Sequence, residues 1–222
     1  MVTMLPRWFI KFGFHLLYNQ LAWTYDLVAW VVSFGQWSAW RRLALRFMQP
    51  GPTLELAYGT GGFFVDMLAA GHAAIGIDLS PYMARLAGRR LRRYNYLSRL
   101  AQATGQALPF PSNHFTNIVA TFPAEYIMSP QTLTEICRVL KDSPLPSGSS
   151  SRLIVVAEGQ LRGPWPLRPL IDWLYQITGQ RSIHPTKPLA VLAAHDFEAR
   201  WELVEHDGAV ARVLIADKRP TG

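Results

Sequence analysis

Two patterns of hydrophobic positions divide the chain near residue 50. In the first, large apolar side chains recur at alternating spacings of four and three, namely Trp23, Leu27, Trp30, Phe34 and Trp37. This spacing places them on one face of a helix and predicts N-terminal helices over residues 1–48, with a break at Gly35. We interpret the stripe as a surface that packs on the rest of the chain. A lid over an apolar substrate is a compatible second interpretation, because a lid must also pack.

In the second pattern, short apolar runs alternate with amphipathic segments. The runs TLELA from Thr53, AAIGID, TNIVATF and SRLIVVAE predict strands, and residues 97–103 predict a weaker one. FFVDMLAA, PYMARLAGRRLRRY and QTLTEICRVL predict the helices between them. RWELVEHDG and AVARVLIADK predict two strands joined by a tight turn at Asp207–Gly208. Strands that alternate with helices are typical of an α/β fold with a parallel sheet.

Two polar or proline-rich stretches interrupt this alternation. Residues 141–151 predict a loop, and residues 159–197 hold five prolines and a short predicted helix near 167–177. We expect an insertion or cap in the second stretch rather than additional sheet.

Composition limits the class of protein. Half of the residues are hydrophobic and 17% are charged, which indicates a packed globular chain. A single cysteine excludes a disulfide framework. The N-terminal apolar stretch is interrupted by Arg7 and Lys11 and predicts neither a secretory signal nor a membrane-spanning helix. We expect a cytoplasmic protein.

The most informative segment is a glycine-rich turn between the first strand and the helix after it. Gly59 and Gly61 would let a ligand approach the backbone, and the helix N-terminus offers free N–H groups. Asp78 ends the next strand, where a carboxylate can accept the hydroxyls of a ribose. Phe64 stands at the third small position of a dinucleotide turn and disfavours NAD or FAD. Acidic Glu55 and Asp78 suit the cationic tail of S-adenosylmethionine.

Four segments in order resemble the motifs of class I S-adenosylmethionine-dependent methyltransferases. They are LELAYGTGGF, IGIDLSPYMARLA, QALPFPSNHFTNIVATF, and EICRVLK followed by RLIVV. The chain is similar to the small-molecule group that includes ubiquinone/menaquinone-biosynthesis methyltransferases. The resemblance implies a Rossmann-like domain over 49–222 with a mostly parallel seven-stranded sheet and an antiparallel last strand. Residues 1–48 would form an N-terminal helical lid, and residues 160–196 a cap.

The resemblance also implies roles for individual residues. Glu55 would orient the methionine ammonium of the cofactor, the glycine turn would line it, and Asp78 would hold its ribose. Residues of three further segments would lie beside the adenine or the sulfonium, and an N-terminal tyrosine would close over the cofactor. The implied cofactor-binding set is Tyr18, Tyr25, Glu55, Ala57, Tyr58, Gly59, Thr60, Gly61, Asp78, Leu79, Met83, Gln106, Ala107, Leu108, Thr121 and Phe122.

Three positions depart from the family pattern. Ala57 replaces the first glycine of the turn, and Thr104 stands where an acidic residue often contacts the adenine amino group. Thr116 replaces a usual aspartate after Phe115, a change that we expect to be structural.

Methyl transfer from a sulfonium depends on positioning more than on a dedicated acid. If the acceptor must lose a proton, the candidate bases are His15, Glu125 and Tyr126. Trp30, Pro123 and Tyr126 are the candidate substrate residues, and the acceptor is expected to be small and lipophilic or aromatic. No histidine pair has metal-ligand spacing, so we expect no metal. Cys137 is expected to be a core thiol, because it shares a predicted helix face with Leu133, Ile136 and Leu140.

Charge leaves further interpretations open. The second predicted helix carries four arginines on one side, Arg85, Arg89, Arg92 and Arg93, and places Met83, Ala87 and Tyr94 on the other. The arginines favour a solvated face or, alternatively, a phosphate-binding face of an RNA methyltransferase. No RNA-binding module is recognisable, so nucleic acid is not the favoured partner. A non-catalytic relative that binds the cofactor without turnover is a third reading, ranked last. Basic residues beside Trp and Phe predict a peripheral contact with an anionic membrane: Arg7, Lys11, Arg41, Arg42 and Arg46.

Overall fold

The computed structural model describes residues 30, 33–142, 144–145, 148–160 and 187–220. The first elements are the short helix α1 (Trp37–Arg42) and a 3-10 helix (Leu43–Phe47). Phe34 and Gly35 have φ of 50° and 80°, so a left-handed turn precedes α1. The predicted break at Gly35 is therefore confirmed.

The central elements alternate as the apolar runs predict. They are β1 (Thr53–Leu56), α2 (Gly62–Ala69), β2 (Ala74–Asp78), α3 (Pro81–Arg93), β3 (Leu100–Gln102), β4 (Asn117–Thr121), a 3-10 helix (Glu125–Met128) and α4 (Pro130–Val139). Ser80 and Ser129 cap α3 and α4 by accepting the N–H of Met83 and Thr132. Each of these helices has proline in its first turn, a position where the missing N–H costs nothing.

The last elements are β5 (Arg152–Gln160), α5 (Lys187–Ala193), β6 (Phe197–His206) and β7 (Ala209–Lys218). Asp207 and Gly208 have φ of 50° and 78°, as a type I′ hairpin turn requires. The seven strands form one sheet in the order β3-β2-β1-β4-β5-β7-β6. Strand β7 is antiparallel to both neighbours, and the remaining pairs are parallel. The predicted sheet with an antiparallel last strand is confirmed.

Alternate residues of each strand enter two apolar layers, one on each face of the sheet. In β4, Ile118 and Ala120 pack with α4, whereas Val119 packs with α1 and α2. The sheet thereby places the carboxyl ends of β1, β2 and β4 at one edge, where ligands bind in open α/β sheets.

One detail of the predicted helix faces is wrong. Tyr94 is 57% exposed rather than on the buried side of α3, and Leu91 takes that place. The reason is that α3 ends at Arg93, so Tyr94 lies in the C-cap and not on the helical face. Cys137 is half-buried and packs against the core layer that contains Leu133, Ile136 and Leu140. Burial raises the pKa of its thiol.

Candidate functional site

Asp78 joins the two segments that border the carboxyl edge of β1 and β2. Its Oδ2 accepts the backbone N–H of Gly59 at 2.8 Å, and its Oδ1 accepts the N–H of Ser80 at 2.8 Å. Burial raises the pKa of this carboxyl, while the backbone hydrogen bonds oppose the shift. One side chain thus fixes the glycine turn and the start of α3, and each oxygen keeps a lone pair for another donor.

The glycine turn uses left-handed backbone at three positions, Ala57, Gly59 and Gly61, with φ of 55°, 54° and 74°. The two glycines have different surroundings. A Cβ on Gly61 would lie 2.8 Å from the Cβ of Ala87 in α3, whereas a Cβ on Gly59 would have nothing within 4 Å. Gly61 therefore allows close helix packing, and Gly59 is the point where a ligand can approach the backbone.

Beneath the turn lies a buried acidic group. Glu55 is 1% exposed, and its Oε2 has no hydrogen-bond partner in the described part of the chain. Burial raises the pKa of Glu55 well above 4.5, Arg41 lowers it, and Asp78 and Asp66 raise it further. A buried carboxyl without a partner is costly in a folded protein. It is therefore a fitting acceptor for a cationic ligand group.

Tyr58 is buried beside these carboxyls. Its hydroxyl has no hydrogen-bond partner within the described ranges. Burial, together with Asp78 and Glu55, raises the pKa of Tyr58 to about 12, so the hydroxyl stays neutral and can donate. The ring occupies the space that a side chain at Gly76 of β2 would need, since its Cδ1 would lie 2.8 Å from a Cβ there.

Two arginines complete the turn, and sequence reasoning did not assign either to the site. The guanidinium of Arg41 covers Gly62, where a Cβ would lie 2.7 Å from its Cζ. Its Nε donates to Asp66 Oδ2 at 3.0 Å. Arg90 donates to the carbonyl of Thr60 at 3.1 Å and to the Thr60 hydroxyl at 3.0 Å. Arg90 stands within a run of arginines that gives no signal for one member, and Arg41 is distant along the chain from the turn.

The comparisons with known proteins agree with this geometry. A family described as "Methyltransferase domain" matches residues 54–143, from β1 to just beyond α4. A demethylmenaquinone methyltransferase from Thermus thermophilus is 30% identical over 236 residues, which covers 91% of this chain and 100% of the relative. The chain belongs to the class I S-adenosylmethionine-dependent methyltransferases.

Two more proteins are similar to this chain, one in sequence and one in fold. A demethylmenaquinone methyltransferase from Symbiobacterium thermophilum is 35% identical over 136 residues, and the match spans about half of that relative's length (53%). The crystal structure of geranyl diphosphate C-methyltransferase from Streptomyces coelicolor, in complex with S-adenosyl-L-homocysteine, has a TM-score of 0.58 at 17% identity. It covers 82% of this chain and 79% of that one, and it shows a shared fold.

On the side expected for adenine, the predicted residues lie at different depths. Leu79 is 69% exposed, and its carbonyl accepts Gln102 Nε2 at 3.0 Å. Met83 is 1% exposed, in the core beneath α3. Thr104 contacts Gln106 through its hydroxyl. The side chain that replaces the usual acidic residue of the methyltransferase pattern therefore bonds to a neighbour in its own segment. Ala107 is exposed and Leu108 is buried.

On the side expected for the acceptor, the residues after β4 meet α1. Phe122 has φ of 50°, and its ring lies on the Trp37 ring with centroids 4.0 Å apart. Pro123 and Tyr126 are half-buried, and Glu125 is exposed. Trp30 is 61% exposed. His15, Tyr18 and Tyr25 lie outside the described residues, as does most of the expected lid and cap.

Two properties of the described residues bear on the remaining expectations. No group of three His, Cys, Asp or Glu side chains among them could hold a metal ion. None of their helices is long and apolar enough to cross a membrane. Arg41, which the sequence grouped with residues resting on a membrane, is instead mostly buried in its contact with Asp66 and Gly62.

Proposed function

We propose that this chain transfers a methyl group from S-adenosylmethionine to a small lipophilic acceptor of the quinol type. The observation that carries the proposal is the buried Glu55, one of whose oxygens lacks a partner in the described chain, beside Asp78 at the open Gly59 turn. The names of the relatives, which are demethylmenaquinone methyltransferases, support the acceptor class. They do not favour the RNA alternative.

The residues present fit the cofactor by charge and by shape. Glu55 and Asp78 offer carboxylate acceptors to an ammonium and to ribose hydroxyls, and they would repel a pyrophosphate. Gly59 leaves the backbone open where the ligand would lie. The cofactor supplies an electrophilic methyl group on a sulfonium. The chain supplies position, a fixed negative environment and exclusion of water.

The acceptor would lie between the loop after β4 and the N-terminal helices. Trp37 and Phe122 form an aromatic wall there, which suits a flat ring better than a charged or phosphorylated substrate. A ring carbon that accepts a methyl group must afterwards release its proton. Tyr126, Glu125 and His15 remain the candidate acceptors of that proton.

Calorimetric titration of S-adenosylmethionine and S-adenosylhomocysteine, followed by an assay with a short-chain demethylmenaquinol, tests this function. We expect one-to-one binding at micromolar concentration, loss of at least about tenfold in affinity in Asp78→Ala, and a methylated product detected by mass spectrometry. The matched control is Asp142→Ala, an exposed carboxylate at the opposite edge of the sheet.

Two results would contradict the proposal in different ways. Failure of both ligands to bind at millimolar concentration would exclude the proposed methyltransferase activity. If S-adenosylmethionine bound but no methyl group were transferred to quinols, phenols or other lipophilic rings, the chain would be a cofactor-binding protein and the proposed acceptor class would be wrong.

A further inference from the structure

Helix α3 and the residues that flank it carry a basic surface that the cofactor site does not use. Between Asp78 and Glu125 the chain has six arginines and neither Asp nor Glu. Five of the six, Arg85, Arg89, Arg92, Arg93 and Arg99, are exposed. None of the ion pairs formed between described residues includes any of these five. The positive charge of this surface is therefore not neutralised by the described part of the fold.

The arginines share one face of the helix. At about 100° per residue, Tyr82, Arg85, Arg89, Arg92 and Arg93 lie within an arc of about 100° and along about 17 Å of axis. The opposite face is buried and carries Met83, Ala87, Gly88 and Leu91. Arg85 lies 4.3 Å from the centre of the Tyr82 ring, so the aromatic and basic side chains form one continuous surface.

Exposed apolar side chains mark both ends of this surface. Six large hydrophobic residues are exposed in the described chain, and three of them lie here: Tyr82 (39%), Tyr94 (57%) and Leu97 (80%). Scattered single hydrophobics need no explanation, but a concentration of them around unneutralised charge indicates an interaction surface.

We infer that this surface, defined by Tyr82, the arginine face of α3, Tyr94 and Leu97, rests on an anionic lipid membrane. Arginines attract acidic headgroups, and tyrosine favours the boundary between headgroups and acyl chains. The exposed Leu97 favours lipid over nucleic acid, because an aliphatic side chain can enter the acyl boundary but offers no plane for base stacking.

The position of the surface connects it to the site without making it part of the reaction. Tyr82 lies in the first turn of α3, four residues after Asp78, so the N-terminal end of the surface borders the mouth of the candidate site. A membrane in contact with α3 would hold that mouth beside the phase in which a lipophilic acceptor dissolves. The inference goes beyond the proposed methyl transfer, and its test requires no turnover.

Vesicle co-sedimentation of the full chain tests the inference. We expect binding to phosphatidylcholine vesicles containing about a third phosphatidylglycerol at about 0.05 M salt, and much weaker binding to pure phosphatidylcholine or at about 0.5 M salt. Each arginine removed should cost about fivefold in affinity. The double variant Arg89→Gln/Arg93→Gln should therefore bind about 25-fold more weakly.

A charge-matched control separates this surface from the net charge of the molecule. Arg212→Gln/Arg219→Gln removes the same charge from β7 and the residue after its end, on the other half of the sheet, and should change vesicle affinity less than twofold. Leu97→Ser should lower the salt-resistant part of binding by about threefold or more. Thermal unfolding and cofactor titration of each variant would show that the fold and the site are intact.

Three results would overturn the inference. The wild-type chain could fail to bind anionic vesicles, or the two double variants could lose affinity equally. In the third, the wild-type chain would bind single-stranded RNA more tightly than vesicles, and Arg89→Gln/Arg93→Gln would abolish the RNA binding. That result would assign the surface to nucleic acid.

Discussion

Glu55 is the residue at which stability and ligand binding oppose one another most directly. Burial raises the pKa of its carboxyl well above 4.5. Above the pKa that Glu55 has in the unfolded chain, the carboxyl ionises freely in the unfolded state, whereas burial opposes its ionisation in the folded state. The free energy of unfolding therefore falls as the pH rises above this value. Below it, the carboxyl is protonated in both states and the effect disappears. We expect Glu55→Gln to raise the free energy of unfolding by at least about 1 kcal/mol near pH 8, and to lose this pH-dependent gain near pH 4.

Cofactor affinity should change in the opposite direction. Glu55→Gln removes the negative charge that an ammonium would meet, so S-adenosylmethionine should bind about tenfold more weakly near pH 8. Urea unfolding across this pH range and calorimetric titration are the two measurements. A variant that is less stable near pH 8, or that binds the cofactor as the wild type does, would show that Glu55 is structural.

Arg41 should set the pH at which the cofactor binds. It lies over Gly62 and lowers the pKa of Glu55, so Arg41→Met should raise that pKa further. Because binding of the ammonium requires ionised Glu55, the pH profile of affinity should move upward, with a loss of affinity that becomes smaller as the pH is raised. Arg42→Met, the exposed neighbour, is the control. A uniform loss of affinity at every pH in Arg41→Met would indicate a packing role only.

At the scale of elements, the glycine turn combines two requirements that substitution can separate. Gly61→Ala places a Cβ against Ala87 at a φ of 74°, and should lower the free energy of unfolding by about 2 kcal/mol or more. Gly59→Ala meets no neighbour, and should cost about 1 kcal/mol of backbone strain. Gly59→Ala should nevertheless reduce cofactor affinity at least as much as Gly61→Ala. Equal stability losses in the two variants would contradict this division.

The elements themselves could be predicted because their signals are local. Serine and proline mark the starts of α3 and α4, alternating apolar positions mark the strands, and Asp207–Gly208 determines the hairpin turn. The error at Tyr94 also has a local origin. The apolar pattern continues for one residue past the point where the helix ends, and a cap residue no longer follows the helical period.

Contacts between distant elements could not be predicted in the same way. Arg41 lies far from Gly62 along the chain, and only the packing of α1 on α2 brings its guanidinium to the turn. Likewise, the turn glycines are all visible in the sequence, but their division into a packing role and an open role depends on Ala87 in α3. Motif spacing thus located the candidate site, while the charges that tune it come from tertiary structure.

For the molecule as a whole, α1 connects the two halves of the sheet. Arg41 reaches the turn after β1, Trp37 lies on Phe122 after β4, and Trp40 packs on Gly159 of β5. Trp40 is 1% exposed, so this short helix is anchored by a large buried ring rather than by its own helical propensity. The position of Arg41 at the turn therefore depends on a contact at the far side of the site.

Gly159→Ala tests this dependence. A Cβ there would lie 2.7 Å from the Cε2 of Trp40, so the ring must shift and carry α1 with it. We expect the free energy of unfolding to fall by about 2 kcal/mol or more, and cofactor affinity to fall several-fold although Gly159 lies in a different strand from Glu55 and Asp78. Gly71→Ala is the control, because its φ of 83° imposes strain without a neighbour within 4 Å.

If Gly159→Ala lost stability while its native fraction bound the cofactor as the wild type does, α1 would anchor the fold without positioning Arg41. Parallel loss of stability and affinity, with an upward shift of the binding pH profile like that expected for Arg41→Met, would identify Trp40 as the contact through which the second half of the sheet controls the charge of Glu55.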